Sequence, residues 1–155
     1  MRDALVLLGF IGVVALVATA GARFEPGAWY AALDKPAWTP PNWLFPVAWT
    51  VLYLLIAVAG WLVWREVGVA GAKGAFTVYG VQLVLNAAWS WLFFGRHDMG
   101  LAFLDIAGLW LAIALTLLFF WSIKPLAGAL LVPYLLWVTY AAALNLALWR
   151  MNPGA

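Results

Sequence analysis

Five stretches of this chain carry no charged side chain: residues 4–22, 36–64, 74–95, 106–123 and 125–149. Each is about long enough to cross a hydrocarbon core of ~30 Å as a helix rising ~1.5 Å per residue. A membrane β-barrel would need alternating segments of ~10 residues, and these runs do not alternate. The eight basic and six acidic residues among 155 could not coat a soluble domain that is 68% hydrophobic. The sequence therefore predicts an all-α, polytopic membrane protein with a single domain over 1–155. Its five transmembrane helices are expected at about 4–22, 44–64, 75–94, 101–121 and 126–149, with a long loop at 23–43. Orientation and the identity of the membrane stay open, because Arg2, Arg65, Lys73 and Lys124 on one side balance Arg23, Lys35, Arg96 and Arg150 on the other.

The same inventory removes several kinds of function. There is no cysteine, hence no disulfide, thiolate nucleophile or sulfur-ligated metal. His97 is the only histidine and sits in the polar run Arg96-His97-Asp98, so no His-His or His-Glu metal site can form within one chain. A net charge of +2, dispersed along the chain, leaves no footprint for nucleic acid. Neither a Ser-His-Asp arrangement, nor a phosphate loop, nor paired carboxylates can be assembled. Asp105 is the only ionisable group well inside a span, and one such group is not a proton or ion pathway. An ion pair with Arg96 or His97, or a helix cap, is the expected role for it.

Residues 23–43 hold four prolines and three tryptophans, which predicts a stiff extra-membrane loop with a short helix near 27–34. The first segment follows Arg2 and ends in Ala20-Gly21-Ala22, so it also fits a signal peptide; Asp3 and its length argue for a retained helix. Twelve tryptophans are more than interfacial belts usually need, and the aromatic residues are ordered. Gln82, Asn86, Trp89 and Phe93 share one helical face, as do Tyr134, Trp137, Ala141 and Leu144 or Asn145; Trp49 and Tyr53 stand one turn apart. Amides in hydrocarbon need partners, so these faces should point into the bundle. They then either bond one another to join the helices or line a cavity for a large planar ligand. Gly108, Ala112 and Thr116 form a stripe of small residues suited to close helix contact. Packing within the bundle explains the stripe as well as a homodimer seam does; the seam is preferred here, because the neighbouring helices already have aromatic faces to bury.

Trp29-Tyr30, Leu33, Lys35-Pro36-Ala37-Trp38-Thr39-Pro40-Pro41, Phe45-Pro46, Trp49 and Leu52-Tyr53 form a specific pattern. Gln82-Leu83, Asn86, Phe93-Phe94-Gly95, Pro133-Tyr134, Trp137 and Leu144-Asn145 continue it. Along essentially its whole length the chain resembles the tryptophan-rich sensory protein / translocator protein family (TspO/MBR), also called peripheral-type benzodiazepine receptors. The resemblance implies a five-helix bundle, commonly dimeric, with the first loop folded over a pocket. It implies binding of porphyrins such as protoporphyrin IX, or of other planar hydrophobic molecules, with membrane lipid around the bundle and no required cofactor. The implied ligand-binding residues are Tyr30, Trp38, Trp49, Tyr53, Asn86, Trp89, Trp137, Ala141 and Leu144; Phe93 and Asn145 join them from the helical spacing. Lys35 or Arg23 would meet the propionates. One departure counts against tight sterol binding: Leu146 stands where the cholesterol-recognition stretch of animal members has tyrosine.

Three functions follow from the resemblance. The first is a porphyrin-binding sensor or carrier, and the sequence favours it. The second is light- and oxygen-dependent porphyrin degradation, in which Trp49 and Trp137 would be the reacting residues; otherwise none is catalytic. The third is a dimeric lipid- or sterol-binding scaffold.

Overall fold

The computed structural model describes residues 1–155 and consists of helices joined by turns and loops. Helix α1 covers Arg2–Ala22, the short α2 Ala28–Ala31, α3 Leu44–Val67 and α4 Lys73–Ser90. A π turn at Trp91–Gly95 prolongs α4; α5 then covers Met99–Ile123, α6 Pro125–Leu130 and α7 Val132–Met151. The long helices close into a ring, with α1 against α3 and α4, α4 against α5, α5 against α6 and α7, and α6 and α7 back against α3.

Four segments are long and apolar enough to cross a membrane: α1, α3, α5, and α6 with α7. The remaining long helix, α4, is less apolar because it carries Gln82 and Asn86. Those amides are turned inward, 1% and 4% exposed, while Val81 and Val84 face outward. Helix α1 is the opposite case, with only Val14 buried and Leu5, Leu8, Val13 and Leu16 exposed. Such faces are costly in water and suited to lipid.

The fifth segment departs from the expected single helix over 126–149. It breaks at Leu131, where the chain turns between α6 and α7. Pro133 lies at the start of α7; it has no N–H to continue the hydrogen-bond ladder, and its ring crowds the preceding turn. The N–H of Leu131 accordingly bonds to the carbonyl of Gly128. Asp105 also departs from expectation: it makes neither an ion pair nor a cap, and one carboxylate oxygen is buried without a partner. The α5 cap is Asp98, whose Oδ1 accepts from the N–H of Leu101 at 2.9 Å.

The small-residue stripe lies inside a single chain. Ala112 and Thr116 are buried, and Gly108 faces Leu85 of α4, where an added Cβ would sit 3.7 Å from Leu85 Cδ1. Packing within the bundle thus accounts for Ala112 and Thr116, while Gly108 stays half-buried.

One glycine marks a close approach of three helices toward the end of the bundle that holds Asp3, Arg65 and Lys124. A Cβ on Gly60 would lie 2.8 Å from both Phe10 Cε1 and Tyr79 Oη. That hydroxyl donates to the carbonyl of Ile56 at 2.9 Å, tying α4 to α3. Gly60→Ala should therefore part α1, α3 and α4 and cost about 1–3 kcal/mol, read as a lower midpoint of thermal unfolding in detergent. An unchanged midpoint would show that the three helices can separate without loss. At this end Arg65 pairs with Asp3 (3.3 Å) and Lys124 with Glu66 (2.8 Å), both at the surface, where such pairs contribute little.

Candidate functional site: an aromatic cavity beneath the first loop

The first loop is fastened at three points at the opposite end of the bundle. The Trp29 ring stacks on His97 at 4.1 Å with 5° between the planes, joining α2 to the turn before α5. Asp34 and Asn152 exchange hydrogen bonds of 2.8 and 2.9 Å. The hydroxyl of Tyr140 on α7 donates to the carbonyl of Trp38. Lys35 turns back on the loop itself: its Nζ donates to the carbonyls of Ala31 (3.2 Å) and Leu33 (3.1 Å) and lies 4.9 Å above the Tyr30 ring. It closes the end of α2 and does not line the cavity beneath the loop. Tyr30 is buried against Phe93 and Phe94, and burial, reinforced by nearby Tyr140, pushes its phenol above the ordinary value.

Beneath the loop lies a cavity of about 430 Å³, within the range of small-molecule sites. Helix α3 supplies Phe45, Trp49 and Tyr53, one turn apart from each other. The end of α4 supplies Trp89 and Ser90, and the π turn supplies Phe94. Gly21 of α1 completes the wall, and Phe24 and Glu25 form the rim. Trp49 and Tyr53, both in the wall, are stacked on each other at 5.5 Å.

Behind this wall the polar side chains join the helices. Tyr53 Oη donates to Asn86 Oδ1 (2.8 Å), Asn86 Nδ2 donates to Tyr134 Oη (2.8 Å), and Tyr134 Oη donates to Gln82 Oε1 (2.7 Å). Nearer the loop, Trp89 Nε1 donates to Asn145 Oδ1 (3.0 Å), whose Nδ2 donates to the Met99 carbonyl (2.9 Å). Helices α3, α4, α5 and α7 are thus linked through side-chain amides and phenols.

The residues expected at the site therefore separate into groups. Trp49, Tyr53 and Trp89 line the cavity. Asn86 and Asn145 lie in the hydrogen-bonded layer, and Ala141 and Leu144 are buried on α7. Trp137 stands behind Trp49, edge to face at 6.4 Å, with its indole N–H buried and unbonded. Trp38 is exposed and rests on Tyr140 at 5.8 Å. Phe93 is buried under α2 while Phe94 reaches the cavity. The cause is the π turn, in which the N–H of Arg96 bonds to the carbonyl of Trp91, five residues back. The wider turn displaces the side chains from the expected α-helical face. Phe45, one turn before Trp49, could have been found by spacing; Phe24 and Glu25 lie in irregular chain, where no period marks them.

A model of the TspO/MBR family matches residues 5–150 of the chain. The chain belongs to the TspO/MBR family. It is 45% identical over 139 residues to Protein CrtK of Rhodobacter capsulatus, covering 86% of this chain and 84% of that one. To the tryptophan-rich sensory protein of Cereibacter sphaeroides it is 39% identical over 150 residues, with 97% and 93% covered. To the human translocator protein it is 38% identical over 152 residues, with 95% and 90% covered. Membership of the TspO/MBR family, together with the apolar spans, makes this a multi-pass integral membrane protein. The TspO/MBR match runs from α1 to the last turn of α7, so every wall of the cavity falls within it.

Proposed function

We propose that the protein is a membrane-embedded binding protein, a sensor or carrier, for porphyrin-type tetrapyrroles and related planar hydrophobic molecules. The observation that carries this reading is the cavity beneath the first loop, walled by Trp49, Tyr53, Trp89 and Phe94. Flat rings on two helices suit a flat, apolar ligand, whose burial and stacking supply the binding energy. The names of two relatives, a sensory protein and a translocator protein, fit a chain whose task is to hold a ligand.

A titration of the solubilised protein with protoporphyrin IX in the dark tests the reading. It follows tryptophan fluorescence and the porphyrin absorption band, with free tryptophan and protein-free micelles as controls. Saturation near one porphyrin per chain is expected. A response that fails to saturate and matches the protein-free micelles would mean partition into detergent and would overturn the reading.

A further inference from the structure

The cavity is lined by one acidic side chain, Glu25, and by no Lys, Arg or His. Arg23, two residues earlier, is not part of the wall; Lys35 is fastened to the carbonyls of Ala31 and Leu33, and Arg96 lies 5.5 Å above the Trp91 ring. Glu25 itself makes no ion pair or hydrogen bond, so its charge is not neutralised by a partner within the chain. Its place at the rim is set by its neighbours. Phe24 is seated against Gly95, where a Cβ would come within 2.8 Å of Phe24 Cδ1, and Pro26 restricts the backbone on the other side. The remaining polar groups of the wall are neutral, among them Asn42, Ser90 and the phenol of Tyr53. A carboxylate on a ligand would meet repulsion at this rim, whereas an ester, an amide or a protonated amine would not.

We propose that Glu25 makes this cavity select tetrapyrroles whose peripheral groups are uncharged or cationic over those that carry free carboxylates. The proposal rests on the porphyrin-binding reading above and narrows its ligand class. A free dicarboxylate still binds through its rings, more weakly than the corresponding diester.

The test compares protoporphyrin IX with its dimethyl ester, in the dark at pH 8, on full-length protein in nanodiscs of zwitterionic lipid. Dissociation constants are measured for the wild type, Glu25→Gln and Glu25→Lys. The quantity read is the acid-to-ester ratio of Kd, which removes differences in how the two porphyrins partition into lipid when variants are compared. The ratio should fall about three- to tenfold in Glu25→Gln and further in Glu25→Lys, as expected for removing and then reversing one charge at a partly solvated rim. Raising the salt concentration should strengthen acid binding in the wild type and weaken it in Glu25→Lys. An unchanged ratio with saturable binding of both porphyrins would overturn the selectivity and leave the porphyrin reading standing. Equal changes for acid and ester would show that Glu25 shapes the cavity rather than charging it, and would also overturn the proposal. If the wild type binds neither porphyrin saturably, the porphyrin reading fails and takes this inference with it.

Discussion

Asn86→Leu should strongly destabilise the protein while changing porphyrin affinity much less. Asn86 is 4% exposed and does not line the cavity, and both ends of its amide are engaged, by Tyr53 and Tyr134. Leucine is close in size, so the change leaves no large void; what it removes is one acceptor and one donor. The Tyr53 hydroxyl then has no acceptor, and Tyr134 keeps only its bond to Gln82. Leaving buried polar groups unpaired costs about 1–3 kcal/mol each. Hydrogen bonds between membrane helices often measure below that, because the unfolded chain in lipid also finds partners. A total loss of about 2–4 kcal/mol follows, equivalent to a drop on the order of 10 °C in the unfolding midpoint. The measurement is thermal unfolding in detergent, with dark porphyrin titration on the fraction that remains folded. A variant with the wild-type midpoint but a large loss of affinity would place Asn86 against the ligand and refute its role between the helices.

That result bears on how much the sequence discloses about this bundle. The uncharged runs mark the membrane segments because a charge in hydrocarbon is expensive, and that rule does not depend on tertiary contacts. The helical spacing of Gln82, Asn86 and Trp89 correctly turns these side chains inward, where all three are buried. Spacing cannot say what an inward face meets. Asn86 and Asn145 meet phenol, indole and backbone, while Trp49, Tyr53 and Trp89 reach the cavity. Three features escaped for local reasons. The break at Leu131 depends on which side of Pro133 the helix can be interrupted, and the sequence shows only the proline. The π turn inserts extra chain into a turn whose composition is ordinary, and so exchanges Phe93 for Phe94 at the cavity. The Gly108–Ala112–Thr116 stripe signals close approach but not the identity of the neighbour, which at Gly108 is Leu85 of α4. Glu25 was invisible for another reason: what sets it apart is that no Lys, Arg or His shares the cavity wall with it, and spacing does not show which side chains a loop brings to a wall.

Trp49→Ala should weaken porphyrin binding about 10- to 100-fold, since stacking of a flat heterocycle on an aromatic side chain contributes about 1–3 kcal/mol. Trp49 lies in the cavity wall and is stacked on Tyr53 at 5.5 Å, so its loss removes ring surface from the site and loosens the adjacent phenol. Trp137→Ala should have a smaller effect, within about threefold. Trp137 does not line the cavity and supports Trp49 from behind, edge to face at 86°. The two variants separate two positions for the ligand that spacing alone treated as one surface. A porphyrin in the cavity between α1, α3 and the end of α4 depends mainly on Trp49. A porphyrin deeper in the bundle, against Trp137, Ala141 and Leu144 of α7, would depend mainly on Trp137 and would first have to displace packed side chains. The readout is the shift of the porphyrin absorption band rather than tryptophan fluorescence, because each variant removes one of the fluorophores. If Trp137→Ala proves the more damaging, the ligand enters the interior of the bundle, and the cavity beneath the loop is its entrance rather than its seat.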